Sequence, residues 1–126
     1  MINYKLVNKV NPRDVLAVQK FYPVKQKQET LAIRDLAKGI SRESTVSMMD
    51  TMAVLEGFLQ VIPNELTMGR IVKLGDFGTF RTTLSGEGVA EESEFTVSKI
   101  KKLNIRFRPA REFKDLLANV KYGKVS

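Results

Sequence analysis

The sequence predicts an α+β fold: a helical hairpin, then antiparallel strands with a protruding hairpin arm, then a short closing helix, all preceded by a strand-rich N-terminal extension. Three observations lead there. Apolar residues recur at helical spacing through residues 31–68, and from residue 70 to 108 the spacing changes to the alternation of strands. Within the second stretch, Gly75-Asp76-Phe77-Gly78-Thr79-Phe80 packs two glycines and two phenylalanines into a tight strand entry.

Residues 2–10 and 15–22 read as two strands rich in Val, Leu, Tyr and Phe, joined by the turn residues Asn11-Pro12-Arg13-Asp14. After the polar connector Lys25–Glu29, Thr30 is placed to cap a helix over residues 31–39. Its inward stripe is Ile33, Leu36, Ala37 and Ile40. Gly39 is expected to close that helix and Ser41 to cap the next, which runs from Val46 to Met68 with a kink or restart at Pro63. Strands follow at 70–74, 77–84, 94–100 and 103–108, with the acidic, glycine-containing segment 85–93 as a hairpin tip. In the last strand Leu103, Ile105 and Phe107 face one way, and Asn104, Arg106 and Arg108 the other. Pro109 suits the first position of a final helix whose stripe is Phe113, Leu116, Leu117 and Val120, with Arg111, Lys114 and Lys121 on one flank.

The second helix is apolar around most of its circumference: Met52, Leu55, Leu59, Ile62 and Leu66 form one stripe, and Met48, Met49, Val54, Phe58 and Val61 lie outside it. Such a helix needs more cover than one small sheet supplies, and a second copy of the chain is the expected cover.

Composition limits the chemistry. The chain has no Cys and no His, which removes disulfides, thiolate or imidazole metal sites and His-based triads, so no enzyme activity is expected. The net charge of +7 favours polyanions as partners. Residues 99–126 carry nine basic and two acidic groups, whereas residues 85–98 carry four acidic groups and no basic one. No stretch has the length and hydropathy of a signal peptide or a membrane span, so a cytoplasmic protein without membrane or small-molecule partners is expected.

Two motifs carry a resemblance. Val72-Lys73-Leu74-Gly75-Asp76-Phe77-Gly78-Thr79-Phe80 looks like the signature of the HU/IHF family of bacterial histone-like proteins, and Phe107-Arg108-Pro109-Ala110-Arg111-Glu112-Phe113-Lys114 looks like that family's C-terminal pattern. The resemblance spans about residues 30–120 and leaves 1–29 as an extension ahead of an HU-like domain at 30–126, as in a divergent HU-related branch. It implies an intertwined dimer whose sheets form a saddle on double-stranded DNA, with minor-groove arms tipped by a wedging proline. This chain departs from the pattern at that tip, where Gly86, Glu87, Gly88, Glu91, Glu92 and Glu94 stand, so kinking by a wedge is not expected.

By matching position, Arg108, Arg111 and Lys114 become the expected phosphate contacts, with Arg81, Lys99, Lys101, Lys102 and Arg106 as neighbours. The implied function is duplex binding with little sequence preference, in the nucleoid, without a cofactor. An HU-fold assembly module that has lost DNA binding is the alternative. Phe77, Phe80 and Phe107 are expected in the interior rather than stacked on bases. The extension could brace a dimer, add a basic surface through Lys5, Lys9, Arg13, Lys20, Lys25 and Lys27, or dock another protein, and its residues do not choose among these.

Overall fold

The structure, a computed structural model, describes residues 1–9, 12–14 and 16–125. Val10, Asn11 and Val15, assigned from sequence to the two N-terminal strands and their turn, lie outside the described residues. The order of elements is β1 (Ile2–Lys9), β2 (Lys20–Lys25), α1 (Ile33–Glu43), α2 (Met48–Thr67), β3 (Val72–Leu74), β4 (Gly78–Gly86), β5 (Ile100–Pro109), α3 (Arg111–Ala118) and β6 (Tyr122–Lys124). Contacts divide the chain into two units: Met1–Thr30 with the residues from Leu116 onward, and Leu31–Asp115.

In the first unit, β1 is the central strand, antiparallel to β2 and parallel to β6. Strand β2 is displaced from the expected 15–22 because Pro23 does not end it. On a sheet edge the missing N–H of proline can face away from the ladder, and Pro23 pairs in register with Leu6. The expected final helix stops at Ala118, so Val120 and Lys121 leave it. The chain then extends as β6, a strand with no sequence expectation behind it: Ile2 N–H donates to the Lys121 carbonyl and Val125 N–H to the Tyr4 carbonyl.

The second unit holds the helical hairpin and the sheet β3-β4-β5, with α2 packed against α1, β3 and β4. Helix α1 runs through Gly39 to Glu43 instead of ending near 39. A single exposed glycine weakens a helix by only about 1 kcal/mol relative to alanine, which adjacent turns readily offset. Thr30 does not cap it; the N-cap is Ala32, whose N–H is bound by the Asp35 carboxylate at 2.9 Å. Ser41 donates to the Val46 carbonyl at 3.0 Å and steadies the connection, while the cap of α2 is Ser47, accepting from Asp50 N–H at 3.1 Å. Helix α2 passes Pro63 without a restart and ends at Thr67 with Met68 as its C-cap, and Gly69 follows with a φ of 80°, the left-handed conformation of a glycine just past a helix end.

Strand β4 pairs with β5 from Gly78 opposite Pro109 to Gly86 opposite Ile100, while β3 covers only the first three residues of β4. Beyond Phe80 the two strands therefore continue as a two-stranded arm. The expected strand at 94–100 is absent. Short 3-10 turns at Glu92–Glu94 and Val97–Lys99 take its place, because Phe95 N–H bonds to the Glu92 carbonyl and Lys99 N–H to the Thr96 carbonyl rather than to a ladder. Pro109 is correspondingly the last residue of β5, not the first of α3.

Four rings form the centre of this unit. Phe107 lies 4.7 Å from Phe80 and 5.3 Å from Phe77, and Phe113 completes the cluster 5.3 Å from Phe77. Each such pair contributes about 0.5–1.5 kcal/mol beyond its area. These rings pack on one another, but Phe77 is 48% exposed and Phe107 41%, so the expected interior placement is not reached for either. Among the described residues the only buried apolar side chains are Ala37 and Leu66, while Met49, Val54, Leu59 and Val61 of α2 are each more than half exposed.

Candidate nucleic-acid interface

Alternation and register decide which cations meet. Residues opposite one another in an antiparallel pair share a face. Lys73 is opposite Thr79, which is opposite Arg108; Arg81 is opposite Arg106; Thr83 is opposite Asn104; Ser85 is opposite Lys102. One face of the sheet thus presents Lys73, Arg81, Lys102, Arg106 and Arg108 among Thr, Ser and Asn, with no carboxylate. The reverse face takes Val72, Phe80 and Phe107 in one row and Leu84 with Leu103 in another.

Helix α3 adds two more charges at the end of β5. Arg111 and Lys114 line a depression of 420 Å³ together with Lys73, Arg108 and Thr79; Asp115 is the one carboxylate among the described residues on its wall. The turn beneath is held in place by backbone bonds: Phe77 N–H donates to the Leu74 carbonyl at 2.9 Å, and Ala110 N–H to the Phe77 carbonyl at 3.1 Å. Gly78 makes the close approach possible. A Cβ there would stand 2.6 Å from the Arg108 carbonyl oxygen and 2.6 Å from the Phe107 ring, so the glycine lets β5 lie close enough to aim Arg108 at the depression.

Six of the eight expected residues, Arg81, Lys102, Arg106, Arg108, Arg111 and Lys114, therefore belong to the sheet face or the depression at its end. Lys99 and Lys101 stand apart at the arm tip, where the Glu87 carboxylate lies 3.7 Å from Lys99 Nζ and 3.3 Å from Lys101 Nζ. Lys73 was missed, although its place between Val72 and Leu74 already puts it on the polar side of a strand. Arg70 is taken up by Glu65, whose hydrogen bond and charge raise its pKa. Glu92 and Glu94 belong to the short 3-10 turn of the tip, with Glu91 at its N-cap, and Leu84, Phe95 and Ile100 line one open depression there.

A family model described as an HU domain fused to wHTH, Ig or glycine-rich motif matches residues 1–124. The chain belongs to the HU/IHF family. Its similarity to integration host factor subunit alpha of Rhodobacter capsulatus is 30% identity over 95 residues, 72% of this chain and 93% of that protein. The same subunit of Jannaschia sp. (strain CCS1) is 31% identical over 94 residues, 71% of this chain and 92% of that protein. In fold the chain is similar to the crystal structure of a candidate bacterial DNA-binding protein from Bacteroides vulgatus ATCC 8482, with a TM-score of 0.69 at 10% identity, covering 98% of this chain. The chain spans about half, 48%, of that protein's length. The HU match includes the N-terminal extension, so the β2-β1-β6 sheet lies within the matched region.

Proposed function

We propose that this HU/IHF-family chain is a non-catalytic, architectural DNA-binding protein that acts as a homodimer on duplex DNA in the nucleoid, with little sequence preference. The observation that carries the reading is the sheet face of Lys73, Arg81, Lys102, Arg106 and Arg108, continued by Arg111 and Lys114. A fold has no use for such a face. Like charges directly opposite one another weaken a sheet, and solubility asks only for dispersed charge. A polyphosphate backbone repays the repulsion, and cations without base-reading partners position a duplex rather than select its sequence.

The dimer rests on area. The chain exposes 11073 Å², whereas a compact protein of 14.2 kDa exposes about 6,800 Å² and two separately compact units of these sizes about 8,100 Å². The surplus of roughly 3,000 Å² or more exceeds what one partner contributes to an obligate interface, about 1,000–2,500 Å². The apolar residues left open on α2 and beside the Phe77 cluster are the natural contact, as expected of paired helices sharing one core. At the arm tip, Glu87 tied to Lys99 and Lys101 offers no wedge, so the duplex is held without intercalation.

The test is duplex retention in a gel-shift series across salt concentrations. Affinity should fall steeply with salt, and Arg108→Glu, Arg111→Glu and Lys114→Glu together should abolish binding in a folded dimer. Unchanged retention by that variant removes the site assignment. Partners that survive nuclease, with no duplex retained at low salt, identify the assembly module instead.

A further inference from the structure

We propose that the β2-β1-β6 sheet is a second nucleic-acid site, taking single-stranded DNA or RNA by stacking unpaired bases on exposed aromatic rings. Register puts Ile2, Tyr4, Leu6 and Asn8 of β1 on one face with Tyr122 and Lys124 of β6 and with Phe21, Pro23 and Lys25 of β2. An open groove of 660 Å³ confirms the shared side, lined by Ile2, Tyr4, Leu6, Pro23, Lys25 and Tyr122. Tyr122 is 69% exposed and Phe21 65%, so both residues are open to solvent. Tyr4 is one strand over and one step along from Tyr122, about 7–8 Å by sheet geometry, and is flanked in register by Lys25 and Lys124.

Charge selects the occupant. Met1–Thr30 and the segment from Leu116 onward hold eight basic and two acidic groups, a net of +6, whereas Leu31–Asp115 hold thirteen and twelve, a net of +1. Nearly all of the net charge thus belongs to the smaller unit, where register places Lys25 and Lys124 on the aromatic face and Lys5, Lys9 and Lys20 on its reverse. An apolar protein partner would not need that charge, and an acidic one would not need open rings. A sheet face carrying aromatics between lysines meets both requirements of a single strand: rings for bases of any sequence and ammonium groups for phosphates. A duplex is not the occupant, because its bases are stacked within and a broad sheet face cannot enter a groove to reach them. This site shares no residue with the basic face of β3-β4-β5 and stands or falls independently of it.

The chain has three tyrosines and no tryptophan, and two of the three lie on this face, so intrinsic fluorescence reports on it directly. The experiment titrates the full chain with dT20 and rU20, following tyrosine emission and the anisotropy of labelled oligonucleotide. Either oligonucleotide should quench the emission, and the tighter of the two shows whether DNA or RNA is preferred. Phe21→Ala with Tyr122→Ala should weaken oligonucleotide binding at least tenfold, on the scale of about 1–3 kcal/mol per stacked base, and leave duplex retention intact. Tyr122→Phe, which keeps a ring, should keep binding. Lys25→Gln with Lys124→Gln should make the slope of log affinity against log salt shallower by about 1.4. Three results overturn the proposal: oligonucleotide affinity unchanged in the folded aromatic variant; loss of that affinity in Arg108→Glu, Arg111→Glu, Lys114→Glu instead; or a change of oligomeric state in the aromatic variant with no oligonucleotide bound by the wild type, which would mark a protein-docking face.

Discussion

Arg81 and Arg106 face one another across β4 and β5, and removing one of them should move stability and binding in opposite directions. Cross-strand guanidinium groups roughly 7 Å apart in water repel by about 0.6 kcal/mol, and a screening length of about 8 Å at physiological salt leaves about 0.3 kcal/mol. Arg106→Gln keeps the stem of this exposed side chain, so it should relieve that repulsion and raise the melting temperature by about 1–2 °C. Binding should suffer. Each neutralised phosphate contributes about 0.9 to the slope of log affinity against log salt, so losing one contact in each protomer of a dimer should flatten that slope by about 1.8. Over the range from about 50 to 200 mM salt, the wild type should then lose roughly tenfold more affinity than the variant does. Thermal unfolding and fluorescence-anisotropy titrations on a 20-bp duplex measure the two halves. A lower melting temperature with an unchanged salt slope would mean that the arginine pair serves the fold, and the basic face would lose its functional meaning.

Other outcomes follow from the same geometry. Gly39→Ala should stabilise the protein by about 0.5–1 kcal/mol, since no atom lies within 4 Å of the added methyl. The same change at Gly78, where φ is 153° and the methyl would meet the Arg108 carbonyl oxygen at 2.6 Å, should destabilise by about 2 kcal/mol or more; urea denaturation distinguishes the two. If the open apolar surface of α2 is a dimer interface, each tenfold rise in protein concentration should add about 1.4 kcal/mol to apparent stability, visible as a rising denaturant midpoint. With no His and no Cys in the chain, duplex affinity at constant salt should stay flat between about pH 6 and 8.

Much of the basic sheet face was legible in one dimension because a strand has a period of two. Once residues 103–108 read as a strand, Arg106 and Arg108 had to share a side, and the glycine-phenylalanine entry located the sheet edge they extend from. The apolar residues read as lying outside the inward stripe of α2 include Met49, Val54 and Val61, which the structure leaves more than half exposed, and Leu59 of the stripe itself is also 57% exposed. Local signals misled where several residues could do the same work. Thr30 and Ser41 are competent caps by residue type, yet Ala32 precedes α1 and Ser47 caps α2 by accepting from Asp50 N–H. The tip at 92–99 has β-favouring residues but closes its hydrogen bonds within short turns.

Composition and periodicity, then, were enough for the class of fold, the net positive charge and the outward arginines, because each depends on composition or on neighbours within a few residues along the chain. Tertiary structure alone could join Lys73 to Arg108 across Thr79, tie Lys99 and Lys101 to Glu87, and lay Tyr122 beside Tyr4. Those pairings link residues up to 118 positions apart, and register between distant strands is set by packing and ladder bonds that no local pattern encodes.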